Sequence, residues 1–544
     1  MTKRRGRGPA APGFSWNEST GTTARIDTRN EMDNRLALAA LTLFCLNARA
    51  ETFVVTRFDD PLPDACAPGD CSLREAATAA ASNDAFGGDD KIELGAGTYT
   101  LIRGELPWGS ADQKLEIVGA GSSATHVTTD APLFASLTDR TFRVRGLEFV
   151  NTAGSAFHTS ARMDDSYLLL DDVVVPLGGG YVSAGGTDGF DATLEIVNST
   201  IYDGIQCNTG AGTCAISGSR VSSLYVNPSV GPGPTIAISG TTLDGSLDPD
   251  NNLTGFVIHE SPGITMTDSA VIHTGTGMHA AGTPPLNLRL ERFTYSDNPT
   301  PLRFGNNAEI AIVDSVFSDN PTRAIYAEGD SVWSIAGSSF VNNVVDGNAG
   351  GAIVVEDATT MTVENSTFAG NSFSVDAAGD GARGAAIGFR NGAGLRIDLR
   401  HVTIVPPFIM PVGIEGTTVG GYGGTGEATL NIDNSIVAGS CHLDAGALHH
   451  ARGNVESPAD SCGFGAGNDV GVDRDDLALA SLGDNGGSTP TFLPGDNSVA
   501  IDAANNDSCT AFDQRGFARP AGGPCDAGAV EVEGTEVLFA NGFD

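Results

Sequence analysis

The chain has 544 residues, with 30 lysines and arginines against 67 aspartates and glutamates and a formal net charge of −37. Phosphate binding needs a basic surface to release counterions, so this balance excludes nucleic acid as a partner. Glycine is abundant at 71 residues, but 25 Phe, 8 Tyr and 3 Trp supply a large core, which excludes a collagen or a disordered acidic tail.

The first feature in chain order is the apolar run from Leu36 to Leu46. At about 11 residues it falls short of the ~18 to 20 that a spanning helix needs. With Arg35 before it and Ala48-Arg49-Ala50 after it, the run reads as a signal-peptide h-region with a small-x-small cleavage site. Residues 1–50 therefore form an N-terminal extension and signal peptide, with the start placed at Met32 and the mature chain beginning at Glu51. The expectation is an exported bacterial protein, extracellular or on the cell surface, with no transmembrane segment in the mature chain. Losing residues 1–50 removes eight basic and four acidic residues, leaving 22 against 63 and a net charge of −41.

Cys45 leaves with the signal, and eight cysteines remain for an oxidising compartment. Proximity along the sequence pairs Cys66 with Cys71, Cys207 with Cys214, Cys441 with Cys462 and Cys509 with Cys525. Eight cysteines allow 105 connectivities, so proximity is the only argument for this set. The absence of a C-x-x-C pair weighs against zinc.

Residues 51–110 contain the strand-like TFVVTRF, then CAPGDCSLREAATAAAS, then KIELGAGTYTL. Ser72 followed by Glu75 is a capping box opening an Ala-rich helix. A helix laid over the first coil of a solenoid would cover its open core and unpaired strand. Cys71-Ser72-Leu73-Arg74-Glu75-Ala76, with Cys66 and TFVVTRFDD before it, resembles the CSLREA N-terminal domain of bacterial surface and secreted proteins.

Across residues 111–470 a cassette recurs, written LEIVNSTI, IAISGTTL, ITMTDSAV, IAIVDSVF, WSIAGSSF, MTVENSTF and LNIDNSIV. Its last apolar residue falls at twelve anchors: Phe149, Val175, Ile201, Val221, Leu243, Val271, Tyr295, Phe317, Phe340, Phe368, Ile404 and Val437. The residue five places before each anchor is also apolar. Anchor spacing, mostly between 22 and 28 residues, is that of one solenoid turn. Alternation inside the cassette is the period of a strand. Short identical strands at a fixed period bury their apolar faces by stacking coil on coil, so the expected fold is all-β: a parallel β-helix of about twelve coils, with an N-terminal capping helix and a small C-terminal cap. A right-handed wind follows from the ~98% preference of parallel crossovers. The longest intervals, around Pro406-Pro407 and Gly420-Gly421, are expected to carry projecting loops and hence a site.

Asn298, Asn320, Asn343 and Asn371 stand three residues after four consecutive anchors. Asn tolerates a tight left-handed corner and stacked amides bond along an axis, so they read as a structural ladder. Ser199, Thr241, Ser269, Ser315, Ser338 and Ser366, two residues before their anchors, read as a second ladder.

Residues 471–534 contain Asp484 to Gly487 (DNGG), Ala500 to Ala503 (AIDA), Asp513 to Pro520 (DQRGFARP) and Cys525 to Ala529 (CDAGA), in that order. This region resembles the choice-of-anchor Q domain. The resemblance implies β-helix coils and a sorted or attached C-terminus, and it supplies no catalytic residue. Asp513, Arg515 and Arg519 read as a paired network within it. The tail, residues 535–544, ends LFANGFD and resembles a short aromatic-glycine ending of some exported proteobacterial proteins.

Two functional readings follow. One is a non-catalytic adhesion or glycan- or matrix-binding protein. The alternative is a polysaccharide-active β-helix enzyme, a pectate-lyase-like lyase or a glycoside hydrolase. A hydrolase needs two carboxylates at a set separation, for which Asp171 with Asp172, or Asp376 with Asp380, are the candidates. Gly-His-Gly, Arg-x-Pro-x-x-Arg and Asp-Pro-His motifs are absent, which favours the first reading. No cofactor is expected. Calcium is the one cation considered, because Asp248, Asp250 and Asn252 have the spacing of an oxygen-ligand loop without its glycine or distant glutamate.

Overall fold

Most cassettes fold as two short strands flanking a residue with left-handed backbone, and MTVENSTF lies within the single strand Thr360–Ala369 with Asn365 at that place. Asn198, Asp268, Asp314 and Asn434 hold φ of 50°, 50°, 51° and 54°, while Gly218, Gly240 and Gly337 fill the same place in other coils. Asn, Asp and Gly are the residues that tolerate this conformation. In the computed structural model, residues 50–532 are described except 84–88, 110–112, 130–136, 139, 151–162, 165, 179–180, 185–191, 209, 211, 228–232, 249–254, 260, 281–285, 306, 346–350, 374–381, 408–415 and 426.

The strands stack in parallel along three faces. On the first face Leu194, Cys214, Ile236, Ile264, Leu288, Ile310, Trp333, Met361, Ile397 and Leu430 are successive register partners, and all are buried. On the second face the anchors from Val175 to Val437 pair directly, coil to coil. Phe317, Phe340 and Phe368 stack there with ring centroids 4.9 and 4.7 Å apart. The third face is an 11-stranded parallel sheet of mostly three-residue strands.

The first face is longer than the twelve anchored coils. Fifteen successive parallel pairings link sixteen strands, from Thr52–Val55 to Leu448–Arg452. Phe53 pairs with Ile92, and Ile92 with Ile117, so the ladder begins inside the segment that resembles the CSLREA domain. These early coils lack the Asn/Asp/Gly-Ser/Thr corner, bending instead through longer glycine turns such as Gly95 to Gly97. The helix Leu73–Asn83 buries Leu73, Ala76, Ala77 and Ala80 in the same core. Its capping box is formed, with Ser72 N donating to Glu75 Oε2 at 2.7 Å and Glu75 N to Ser72 Oγ at 3.3 Å. Arg74 is buried and bound bidentately by Asp60, at 2.7 and 3.0 Å.

Both ladders are present. Asn343 Nδ2 donates to Asn371 Oδ1 at 2.9 Å and Asn320 Nδ2 to Asn343 Oδ1 at 2.8 Å, while Asn298 Oδ1 accepts from Thr274. The hydroxyl row passes one bond per coil: Ser199 N to Ser219 Oγ, Ser219 N to Thr241 Oγ1, Thr241 N to Ser269 Oγ, Ser315 N to Ser338 Oγ and Ser338 N to Ser366 Oγ. Each hydroxyl also donates to the carbonyl two residues earlier, as Ser199 does to Val197. These serines are thus satisfied on both sides.

Cys462 and Phe464 are buried in the core beside the last coils, after which the chain returns along the outside of the helix. Thr489 Oγ1 donates to Gly337 O, Ser339 Oγ to Pro490 O, Thr367 Oγ1 to Gln514 Oε1, and Ala529 N to Thr403 Oγ1. The C-terminal region therefore clamps the flank of successive coils as well as closing the end. Ser339, which alternation places on the outer face, is consequently buried. Arg515 pairs with Asp513 at 2.8 Å, whereas the buried Arg519 pairs with Glu531 at 2.7 Å, a partner the sequence did not reveal. The four expected cysteine pairs are bonded: Cys66–Cys71, Cys207–Cys214, Cys441–Cys462 and Cys509–Cys525.

Candidate functional site

Side chains alternate inward and outward along a strand, so each short third-face strand offers one outward residue. His279, Arg303 and Tyr326 are such residues on successive rungs and lie in direct register. With Arg323, Glu356 and Tyr422 they line a cleft of about 620 Å³. Gly420-Gly421, expected in a projecting loop, lies within the strand Gly416–Thr425, which pairs with Ala382–Gly392 and brings in Tyr422.

Glu356 is the hub of the cleft. Its Oε2 accepts from the Tyr326 hydroxyl at 2.8 Å and its Oε1 from the Tyr422 hydroxyl at 2.8 Å. Burial, reinforced by Glu356, pushes the Tyr326 phenol up to about 12 and the Tyr422 phenol well above its usual range. Both phenols therefore stay protonated and keep donating. The Arg303 guanidinium lies 5.0 Å from the Tyr326 ring centroid and is held by Glu328 at 2.8 and 3.0 Å, while Arg323 lies 5.9 Å from the same centroid. Burial lowers the pKa of His279, with the charges of His259 and Arg303 acting in the same direction, so its imidazole is neutral at neutral pH. A rigid set of donors, acceptors and one aromatic face with guanidinium on it can hold a polyhydroxylated ligand by paired hydrogen bonds and stacking.

The residues singled out in the sequence lie elsewhere. Asp172 occupies a left-handed corner, φ 54°, and its carboxylate accepts from Ser122 N at 3.1 Å and Ser122 Oγ at 2.6 Å. Asp171 lies 3.7 Å from Arg145. Both acids thus serve the first turns of the helix, away from the cleft. Asp376 and Asp380 fall outside the described residues, as do Asp250 and Asn252. Asp248 is buried and ends the short turn Gly245–Leu247. Among the described residues no three His, Cys, Asp or Glu side chains converge as a metal site would require. Arg303, Tyr326, Glu356 and Tyr422 escaped the sequence reading. Their one signal is a polar or aromatic residue inside or just after a short apolar run, as in LRF, IYAE and IVVE.

A family model described as a right handed beta helix region matches residues 188–393. The molecule is a right-handed parallel β-helix. No curated protein matches the chain. Among solved structures it is similar to ORF18 of Geobacillus virus E2, at 10% identity and a TM-score of 0.25, with 74% of this chain and 66% of that chain covered. It is also similar to pectate lyase Pel9A, at 13% identity and a TM-score of 0.21, covering 89% and 97%. A third is a mannuronic acid specific polysaccharide family 6 lyase from human gut microbiota, at 10% identity and a TM-score of 0.27, covering 75% and 91%. Likeness at this level carries no argument about what this chain binds.

Proposed function

We propose that this is an exported, acidic β-helix protein that binds glycan through the third-face cleft and does not turn it over. The observation that carries the reading is Glu356, fixed between two phenol donors beside the Arg303 guanidinium on Tyr326. Groups fixed by their neighbours lose little freedom on binding, which favours recognition of a ligand with many weak contacts. Acid–base hydrolysis needs two carboxyls facing one bond, and among the described residues Glu356 is the only carboxylate in the cleft lining. Four disulfides support an oxidising compartment, with the signal sequence at residues 36–50 as the route of export.

One observation favours a lyase as the second reading: the neutral His279 beside Arg303 could take a proton next to a carboxylate held by arginine. Opposing it, Arg303 is already bound to Glu328 through two bonds. Glycan-array binding by the mature chain, run with a depolymerisation screen on pectin, alginate and neutral plant polysaccharides, separates the two. Saturable binding without product supports the proposal. Unsaturated products or new reducing ends that vanish in His279→Ala would replace it by the lyase.

A further inference from the structure

The exposure of the cleft floor changes along its length. Along its floor the outward positions run His279, Arg303, Tyr326, Val354, Gly388 and Gly420, each the register partner of the next. His279 and Tyr326 are half-buried and Arg303 is exposed, whereas Val354, Gly388 and Gly420 are buried. At this point a register shift between Arg383 and Ile387 interrupts the pairing of the strand Ala382–Gly392. A Cβ on Gly384 would meet Gly388 Cα at 2.5 Å, and one on Gly420 would meet Thr417 Oγ1 at 2.7 Å. Tyr422 reaches back over the same end to Glu356. The open floor from His279 to Tyr326 spans two rung spacings, or roughly 10 Å.

Arg303 is matched by Glu328 through two hydrogen bonds, and both oxygens of Glu356 are engaged by the Tyr326 and Tyr422 hydroxyls. Outside the cleft, 63 acidic against 22 basic residues beyond position 50 repel a polyanion over a screening length of ~10 Å at 0.1 M salt. The carboxylate already holds two phenols, so a cation would find no bare acid there. Hydroxyl groups fit both constraints, because each Glu356 oxygen keeps a second lone pair and each phenol oxygen can also accept.

Resting on the glycan-binding reading above, we infer that the cleft receives the end of an uncharged saccharide chain, which enters from the His279 side and stops against Glu356 and Tyr422. The chain interior has no through-path, since the floor beyond Tyr326 is covered.

Calorimetric titration of the oxidised mature protein with neutral di- to hexasaccharides (cello-, manno- and xylo- series), with oligogalacturonates and oligomannuronates, and with the intact neutral polymers tests this. Expected are binding within a neutral series, an affinity that stops rising after the first few sugars, and polymer competition that grows on partial hydrolysis because new ends appear at constant mass. Glu356→Gln and Tyr326→Phe are each expected to weaken that binding at least tenfold with an unchanged far-UV spectrum. Tighter binding of uronates than of neutral chains, or competition set by polymer mass, would overturn the inference while leaving glycan binding intact. Failure of every saccharide would sink both. Unaltered affinity in both variants would remove the cleft as the site.

Discussion

Truncating Asn343 to Ala is expected to destabilise the protein by about 2 to 6 kcal/mol. The side chain is fully buried, with Nδ2 donating to Phe317 O at 3.0 Å and Asn371 Oδ1 at 2.9 Å, and Oδ1 accepting from Asn320 N at 3.4 Å and Asn320 Nδ2 at 2.8 Å. Asn320 Nδ2 keeps Tyr295 O at 3.2 Å, so its loss is partial. Asn320 N and Phe317 O each lose the bond they make to this side chain, at ~1 to 3 kcal/mol for each buried group left without one. Asn342, one residue earlier, is exposed with φ of 54°, and Asn342→Gly should be within about 0.5 kcal/mol of wild type because glycine accepts that conformation freely. Urea unfolding of oxidised protein followed by circular dichroism, with equal slopes required for the comparison, measures both. If Asn343→Ala unfolds at the wild-type midpoint, the row is not a structural ladder and the hydrogen-bond argument fails.

Phe340→Ala should cost ~3 to 5 kcal/mol in the same assay, because the ring lies between Phe317 and Phe368 with no exposed surface; a loss under 1 kcal/mol would contradict the stacked core. Ser339→Ala should cost ~1 to 3 kcal/mol, since it removes the donor to Pro490 O and the acceptor of Gln514 Nε2, and protease trimming of the C-terminal region should become faster. Burial, then the Arg519 charge, holds the His401 imidazole down to about 3, whereas burial pushes the Asp526 carboxyl up to about 6. The unfolded state therefore gains a proton at His401 first, so that group's stabilisation is complete above ~6.5 and is lost as pH falls toward 3, while Asp526 works in reverse, relieving its own penalty between 6 and ~3.9. Between pH 6.5 and 4 the melting temperature should fall less in His401→Gln than in wild type and more in Asp526→Asn; profiles parallel to wild type would refute the assignment.

How much of this was legible depended on how regular the local signal was. The cassette announced two strands, their corner and their inward residues, because Asn, Asp or Gly precedes the Ser or Thr at most of the left-handed corners, as at Asn198-Ser199 and Asn434-Ser435, although Arg292 and His401 take that corner in two coils. The third face carried no such signal: Leu302, Ile325 and Ile353 begin their strands four, five and ten residues after the ladder asparagines Asn298, Asn320 and Asn343. The coils at either end broke the pattern, through longer glycine turns near Gly95 and through the polar strand Leu448–Arg452. Alternation alone points Ser339 outward, and only a chain returning from residue 489 onward buries it. The cleft was invisible for a related reason. Tyr326, Glu356 and Tyr422 are 30 and 66 residues apart and meet only once the coils are in register. Asp171 and Asp172 were candidates as carboxylates just before an anchor, and only the folded corner at Asp172 shows its carboxylate clasping Ser122.

The central claim is that the third-face cleft holds a saccharide without cleaving it, and a single paired titration tests it. Wild type and Glu356→Gln, both oxidised and starting at Glu51, are titrated with the glycan that binds best, and the spent mixtures are examined by mass spectrometry. The prediction is saturable binding at one site in wild type, at least tenfold weaker binding in Glu356→Gln, and ligand recovered at its original mass from both. Equal affinity in the two proteins, or ligand shortened in the wild-type mixture alone, would contradict it.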